Sequence, residues 1–192
     1  MARVGLTTER LIQAGAELAD EIGFEKMTGA ELARRFDVKL ASLYSHVNNF
    51  DDLKLKIALL ALQEMAQLAA DALAGRAGKD ALIALADVYR DYAHKHPGRF
   101  AAARFPMSSA DAAASAGPRL ARMTQAVLRG YALSDVDQVH ATRLLGSFFM
   151  GFVTLELARS FSHSAPETQT SWTRSLDALD AMLKTWAGQG TA

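Results

Sequence analysis

Residues 27–47, MTGAELARRFDVKLASLYSHV, have the pattern of two short helices joined by a tight turn. Thr28 and Glu31 have the S/T-x-x-E spacing of a capping box, so each side chain can bond a free amide of the first helical turn. Asp37 marks a break, and a second helix is predicted over residues 39–47. Two helices at this spacing indicate a helix-turn-helix unit, with the second helix as the recognition helix.

The second predicted helix has an apolar side and a side of small polar residues. The apolar side, at i, i+3, i+4, i+7 spacing, consists of Leu40, Leu43, Tyr44 and Val47. The opposite side carries Ala41, Ser42 and Ser45, with Lys39 and His46 at its margins. Small residues let a helix backbone approach base edges, while Lys39 can reach a guanine or a phosphate and Ser42 can bond either. These properties favour a helix that enters the major groove of DNA.

Further residues on both sides of this stretch form an ordered set. They are Gly23-Phe24, Met27-Thr28, Leu32-Ala33, Val38, Leu43-Tyr44-x-His46-Val47 and Leu53. With this set, residues 7–55 resemble the DNA-binding domain of the TetR family of repressors. The resemblance implies a transcriptional regulator whose partner is double-stranded operator DNA. One position departs from the family, because Phe50 stands where members usually have a basic residue that contacts a phosphate.

The helix pattern and the resemblance together give the candidate DNA-binding residues. They are Thr28, Lys39, Leu40, Ala41, Ser42, Tyr44, Ser45 and His46. Thr28 is expected to bond a phosphate as well as to cap its helix, and Tyr44 is expected to give its hydroxyl to a phosphate. An ordinary solvated face is the alternative for this set. Arg3, in an N-terminal arm, is expected either to reach DNA or to belong to a solvated tail.

Composition sets the class of the protein. A chain of 192 residues that is half hydrophobic, rich in Ala and Leu and has only four prolines predicts an all-α protein. It has no cysteine, which excludes disulfides and thiolate metal sites and favours a reducing cytoplasm. No apolar run approaches the roughly 20 residues of a membrane helix, and residues 1–10 have no secretory h-region. We therefore expect a cytoplasmic protein without a membrane partner.

The charge balance is neutral, with 21 basic and 21 acidic residues. Because many nucleic-acid-binding proteins carry a basic stripe, this balance is weak evidence against a DNA partner. A major-groove reader needs local charge only. We therefore keep the DNA interpretation and expect modest non-specific affinity with a shallow salt dependence.

About nine helices are predicted, in a DNA-binding helix-turn-helix domain over residues 1–50 and a ligand-binding and dimerisation domain over 51–192. A long, mostly apolar helix to about Leu73 is expected to connect them. Residues 107–117, MSSADAAASAG, have the composition of a mobile loop. The last two helices, the first of them predicted to reach Phe161, have surplus apolar surface. Two such helices from each protomer would form a four-helix homodimer interface.

The second half also resembles one branch of the TetR ligand-binding domains, the WHG-like branch. The matching residues are Tyr92-Ala93-x-x-His96-Pro97-x-x-Phe100 and Gly151-x-x-x-Leu155-Glu156-Leu157. The branch often carries a Trp and a His upstream of that glycine, where this chain has Gly146 and Met150. The resemblance implies a pocket for a small apolar or aromatic effector. The candidate ligand-binding residues are Tyr89, Tyr92, Phe100, Arg104, Phe105, His140, Phe149, Met150, Phe152 and Trp172; plain core packing is the alternative for most of them.

No catalytic set is present, and neither a cofactor nor a metal site is predicted. The chain has no G-x-S-x-G elbow, no G-x-G-x-x-G loop and no Glu-x-x-His pair. Asp91, His94 and His96 lie close in sequence, but the predicted helix ends there and no fourth ligand is evident. Three functions remain open: a repressor released from a palindromic operator by its effector, a helical ligand-binding protein or enzyme that has lost DNA binding, and a DNA binder without an inducer.

Overall fold

Every regular element in the described part of the chain is helical. The computed structural model describes residues 6–187, so the arm with Arg3 lies outside the described residues. The ten α-helices are α1 (Thr8–Ile22), α2 (Gly29–Arg35), α3 (Leu40–Leu43), α4 (Phe50–Leu73), α5 (Gly78–Lys95), α6 (Pro97–Ala102), α7 (Ser109–Ala114), α8 (Gly117–Leu128), α9 (Asp135–Leu157) and α10 (Thr168–Ala187). Short 3₁₀ helices cover Phe24–Lys26 and Arg129–Tyr131. The predicted all-α class is confirmed.

Side-chain caps set the starts of α1 and α9. Thr7 accepts the Arg10 amide at the start of α1, and Ser134 accepts the Asp137 amide at the start of α9. Gly23 ends α1 with a φ of 93°, a backbone conformation that favours glycine.

The recognition helix is shorter than predicted. α3 has four residues, and Tyr44 to His46 form a turn instead of continuing to Val47. The His46 amide donates to the Leu43 carbonyl at 3.0 Å, three residues back. The Ser45 hydroxyl donates to the Ser42 carbonyl at 2.7 Å. Because these local bonds replace the i to i−4 ladder, the helix ends early.

Two other boundaries differ from the predictions. The predicted loop over 107–117 contains α7, because Ser108 accepts the Asp111 amide and the alanines that follow favour a helix. The helix predicted to reach Phe161 ends at Leu157, and Arg159 has a φ of 57° in the following turns.

The chain forms two compact units. The N-terminal unit comprises residues up to Glu64 together with Lys95–Ala116, and the C-terminal unit comprises Met65–His94 and the residues from Gly117 on. The predicted division of function at residue 50 stays a prediction. α4 contributes residues to both units.

The N-terminal unit has its own apolar core. α1 packs against α6 and the first 3₁₀ helix, and α2 packs against α3. The most deeply buried large side chains of this core are Phe24, Leu11, Leu32, Leu43, Leu53 and Ile57. Leu43 therefore anchors α3 on the rest of the unit.

The C-terminal unit is built on α8, α9 and α10. α9 packs against both α8 and α10. Tyr131 donates a hydrogen bond to the buried Asp180 at 2.9 Å, and Lys184 pairs with the same carboxylate. The pKa of Tyr131 is raised, mainly by burial and secondly by the hydrogen bond to Asp180. In the described part of the chain, no helix combines the length and apolar character needed to cross a membrane.

Candidate nucleic-acid interface and effector region

The predicted DNA-contacting residues lie on the surface of the N-terminal unit. Thr28, Lys39, Leu40, Ala41, Ser42, Tyr44 and Ser45 are exposed, and His46 is half-buried. Leu40 and Tyr44 were expected on the buried side of the helix, but they are 42% and 45% exposed. Of the four residues of the predicted apolar side, Leu43 and Val47 are buried and hold α3 and its turn on the core. We call the residues 39–42 and 44–46 the recognition surface.

Hydrogen bonds fix the ends of the helix-turn-helix. The Thr28 hydroxyl accepts the Glu31 amide at 3.2 Å, which is one of the two bonds of the predicted capping box. Glu31 uses its carboxylate for Arg34 at 3.1 Å. The Thr8 hydroxyl of α1 donates to the His46 carbonyl at 3.1 Å, which ties the turn after α3 to the first helix.

Gly29 allows α2 to lie close to α3. A β-carbon at position 29 would be 3.0 Å from Leu40 Cδ1 and 3.6 Å from Tyr44 Oη. It would also lie 3.6 Å from the ring of Phe50. These contacts place three large side chains around the first turn of α2.

The two arginines of α2 are paired with carboxylates. Arg34 bonds Glu31, and Arg35 bonds Glu21 at 2.7 Å and Glu17 at 3.3 Å. The bonds to Glu21 raise the pKa of Arg35 more than burial lowers it.

Phe50, which replaces the basic residue usual in the family, begins α4. Lys54 lies one turn later with its ammonium 5.7 Å from the Phe50 ring and 5.1 Å from the Phe24 ring. This cation is only 15% exposed and lies 3.9 Å from Glu25, so it does not simply take over the role of the missing surface charge.

A buried polar network joins three helices of the N-terminal unit. Asp20 of α1 accepts the Arg99 amide at 2.9 Å, and its carboxylate lies 3.1 Å from the Arg99 guanidinium and from His96 Nδ1. Arg99 also bonds Glu64 of α4 at 3.0 Å. Its side chain is 8% exposed. The network therefore connects α1 and α4 through α6. The sequence pattern gave no sign of this network, because the bonded pairs are 35 to 79 positions apart.

Five of the predicted ligand-binding residues belong to packed parts of the C-terminal unit. Phe149 and Trp172 are each 1% exposed and Tyr92 is 2% exposed. Tyr89 lies 5.4 Å from the Phe149 ring, and Phe152 lies 5.0 Å from the Trp172 ring. Burial raises the pKa of Tyr89. We call Tyr89, Phe149, Phe152 and Trp172, with Phe148 and Phe161 in contact with them, the aromatic cluster.

The other predicted ligand residues are dispersed. Phe100, Arg104 and Phe105 belong to the N-terminal unit, where Arg104 lies over the Phe100 ring and Phe105 packs edge-on against Phe24. Met150 is half-buried on α9, and His140 is exposed there. The prediction grouped these five residues by type and by position in the chain, and the structure does not bring them together at one site.

An ion pair beside the aromatic cluster was not predicted as a pair. Arg90 makes two bonds to Glu156, at 2.9 and 2.6 Å, and His94 lies 3.1 Å from the same carboxylate. The Arg90 guanidinium lies over the Trp172 ring, and the Trp172 indole donates to Asp87 at 2.8 Å. The charge pattern held no signal for it, because 66 residues separate Arg90 from Glu156.

Each unit has an open groove on its surface, and we compare one from each. The larger, about 430 Å³, lies in the C-terminal unit and is lined by Ala72, Arg76, Asp80, Ile83, Ala84, Asp87, Val88 and Asp91. The other, about 380 Å³, is lined by Arg10, Gln13, Ala14, Glu17, Arg35 and Phe36 in the N-terminal unit. Neither is lined by any of the ten predicted ligand-binding residues.

The histidines near the end of α5 serve as partners of carboxylates. His94 contacts Glu156 and His96 contacts Asp20, so each belongs to a different network. In residues 6–187, no group of three or more His, Asp and Glu side chains has the arrangement to hold a metal ion.

Known proteins are similar to this chain in sequence and in fold. A family model described as tetracyclin repressor-like, C-terminal domain, matches residues 82–179. HTH-type transcriptional regulators that are themselves uncharacterized match most of the chain. Rv0681 of Mycobacterium tuberculosis is 32% identical over 154 residues, 79% of this chain and 71% of that protein. YobS of Bacillus subtilis is 29% identical over 159 residues, 83% of each chain.

The crystal structure of apo ActR from Streptomyces coelicolor has the same fold. Its TM-score is 0.74 at 20% identity, and the match covers 100% of both chains. The chain therefore belongs to the TetR family, whose members are ligand-responsive, DNA-binding transcriptional regulators and not enzymes.

Proposed function

We propose that the protein is a homodimeric repressor that binds a palindromic operator through the recognition surface and leaves it when a small apolar molecule binds. The observation that carries the proposal is the exposure of that surface on a helix anchored by Leu43. A regulator of this kind acts where the chromosome is, which is the basis for proposing a cytoplasmic location.

The contact with DNA is proposed to divide into anchoring and reading. Thr28 and Tyr44 are exposed residues that carry hydroxyls at the edge of the motif, which suits them to phosphates. Residues 40–42 and Ser45 are small or apolar and exposed, so the backbone of α3 can approach base edges. Lys39, at the N-cap of α3, can bond either a phosphate or a guanine.

Dimerisation is proposed through α9 and α10. One face of α9 is exposed along its length and consists of Val136, Val139, His140, Arg143, Ser147, Gly151, Thr154 and Leu155. Val136 and Leu155, near its two ends, are 65% and 47% exposed. A β-carbon at Gly151 would meet nothing within 4 Å, so this part of α9 leaves room for a neighbouring helix. Two-fold symmetry of such a dimer would match a palindromic operator.

The effector is proposed to bind in the C-terminal unit near the aromatic cluster and to act through α4, which contributes residues to both units. Apolar and aromatic side chains with a few polar groups are the usual lining of small-molecule sites. The cluster is closely packed, so the effector would have to select a minor, more open conformation. It can shift the balance only if it binds the two conformations with different affinity.

A gel shift with the DNA upstream of the protein's own coding region tests the DNA-binding step. We expect the wild-type protein to shift this DNA at low salt, and the Lys39→Ala, Tyr44→Ala double variant to lose the shift while keeping its helical circular dichroism. Lys95→Ala, which removes an exposed lysine outside the recognition surface, should shift DNA as the wild type does. Failure of the wild type to shift any DNA would support the alternative that this chain has lost DNA binding.

The effector step needs a separate measurement. A ligand that binds only the folded protein stabilises it by RT ln(1 + L/Kd), where L is the free ligand concentration, so the melting temperature rises with the logarithm of that concentration above Kd. We expect an apolar aromatic compound that raises the melting temperature also to release the DNA. If compounds that stabilise the protein leave its DNA complex intact, the protein is a DNA binder without an inducer.

A further inference from the structure

We propose that Leu40 reads the 5-methyl groups of thymines, so that the operator carries a thymine at a fixed position in each half-site. The inference rests on the proposed contact between the recognition surface and the major groove. It goes further by assigning a base and the chemical group that is recognised.

Leu40 is an apolar side chain displayed where base edges are expected. It is the first residue of α3, and it is 42% exposed although its neighbour Leu43 is 2% exposed. Its Cδ1 lies 3.0 Å from the position of a β-carbon at Gly29, so the first turn of α2 supports it from behind. The supported side chain is held towards solvent and has apolar surface left to bury.

The neighbouring side chains supply little hydrogen-bonding discrimination. Between positions 39 and 46 there is no Arg, Asn, Gln, Asp or Glu, the residue types that bond base edges most selectively. The Ser45 hydroxyl already donates to the Ser42 carbonyl at 2.7 Å. Lys39 can favour a guanine and the Ser42 hydroxyl can bond either a base or a phosphate, so the apolar part of the selectivity falls to Leu40 and the small Ala41.

The arginines before the turn do not fill this gap. Arg35 is held by Glu21 and Glu17, and Arg34 is paired with Glu31.

The 5-methyl group of thymine is the apolar feature of a major-groove base edge. A leucine that buries one methyl gains about the transfer free energy of one CH₂ group, which corresponds to about a fourfold change in affinity. A symmetric dimer would make this contact twice, so losing both methyls should weaken binding about 15-fold.

Replacing single thymines by deoxyuridine removes the methyl and leaves base pairing intact. The full-length protein would first select its site from a random duplex library. Affinity for that site would then be measured by fluorescence anisotropy, with each thymine replaced in turn. We expect one thymine in each half-site at which the change weakens binding about fourfold. At a thymine outside the selected site, the change should have no effect.

Variants identify Leu40 as the partner of that methyl. Leu40→Ala should bind the thymine and deoxyuridine duplexes equally, whereas Leu40→Met, which keeps apolar bulk, should retain the difference. Leu68→Ala is the matched control, because Leu68 is equally exposed, at 46%, but lies on α4. It should behave as the wild type does.

Two results would overturn the assignment while leaving DNA binding intact: no thymine sensitive to loss of its methyl, or a sensitive thymine that stays sensitive in Leu40→Ala. A wild-type protein that selects no DNA sequence would instead contradict the proposed function, and the assignment with it.

Discussion

Gly98 of α6 lies against Ala19 of α1 so closely that a β-carbon at position 98 would be 2.0 Å from the Ala19 carbonyl oxygen. That atom is backbone, and it also accepts the amide of Gly23 at the end of α1. Neither side of the contact can move without disturbing a helix. Within the N-terminal unit, α6 is therefore seated on the helix that supports the DNA-binding motif.

Gly98→Ala should destabilise the N-terminal unit by about 3 kcal/mol or more, because the added methyl meets backbone and cannot be relieved by a change of rotamer. Urea unfolding followed by circular dichroism measures the loss. Gly130→Ala is the control, since its β-carbon would be an ordinary 3.4 Å from the nearest atom. Equal stability of the two variants would show that α6 does not approach α1 in this way.

Arg99→Met should destabilise the protein by about 3 kcal/mol, because it removes the shared cation of Asp20 and Glu64 from a largely buried site. Arg34→Met removes an arginine whose side chain is 75% exposed and pairs with Glu31, and we expect a change of less than about 0.5 kcal/mol. Thermal and urea unfolding of both variants provides the comparison. A loss no larger at position 99 than at position 34 would argue against the network.

Local signals in the sequence predicted most of the fold. A cap such as Thr28 acts within a few residues, so its spacing from Glu31 is visible in order along the chain. The predicted length of α3 was wrong. The Ser45 hydroxyl bonds the Ser42 carbonyl in competition with the backbone bonds of the helix, and hydrophobic periodicity does not record that geometry. α7 was missed because a run of Ala and Ser is typical of both loops and helices.

The two candidate sites differed in how far sequence could predict them. The recognition surface lies within eight consecutive residues, so placing its helix also placed the surface. A ligand site depends on tertiary contacts, and the structure puts two of the predicted ligand-binding residues, Phe100 and Trp172, in different units. Pairings such as Arg90 with Glu156 join distant helices and left no trace in local spacing.

Acid should weaken the C-terminal unit through Glu156. Burial raises the pKa of Glu156, but the bonds from Arg90 and His94 outweigh burial and hold the pKa below its ordinary value near 4.5. At a pH between the lowered pKa of the folded protein and the ordinary pKa of the unfolded chain, only the unfolded chain binds the proton. Stability is therefore lost as the pH falls through this range.

Urea unfolding of the wild type and Glu156→Gln from pH 7 to pH 3 tests this linkage. We expect the wild type to be the more stable at pH 7 and the difference to shrink below about pH 4.5. Glu167→Gln, at an exposed position, should run parallel to the wild type. A constant difference between wild type and Glu156→Gln at every pH would contradict the account of the carboxyl.

Leu155→Arg should convert the proposed dimer into monomers, because it places a charge on the exposed face of α9 that the partner would bury. Sedimentation velocity at micromolar concentration measures the change. Leu68→Arg puts the same charge at an equally exposed leucine on α4 and should leave the dimer intact. A dimer unaffected by Leu155→Arg would require another interface.

Anisotropy titration of the selected operator with Ser42→Glu tests most directly whether residues 39–46 bind DNA. A carboxylate at this exposed position would face the acceptors and phosphates of the duplex, so we expect affinity to fall at least about 100-fold with an unchanged melting temperature. Ser109→Glu, which adds the same charge in the first turn of α7, should bind as the wild type does. Equal affinity of Ser42→Glu and Ser109→Glu would contradict the claim that this surface lies against DNA.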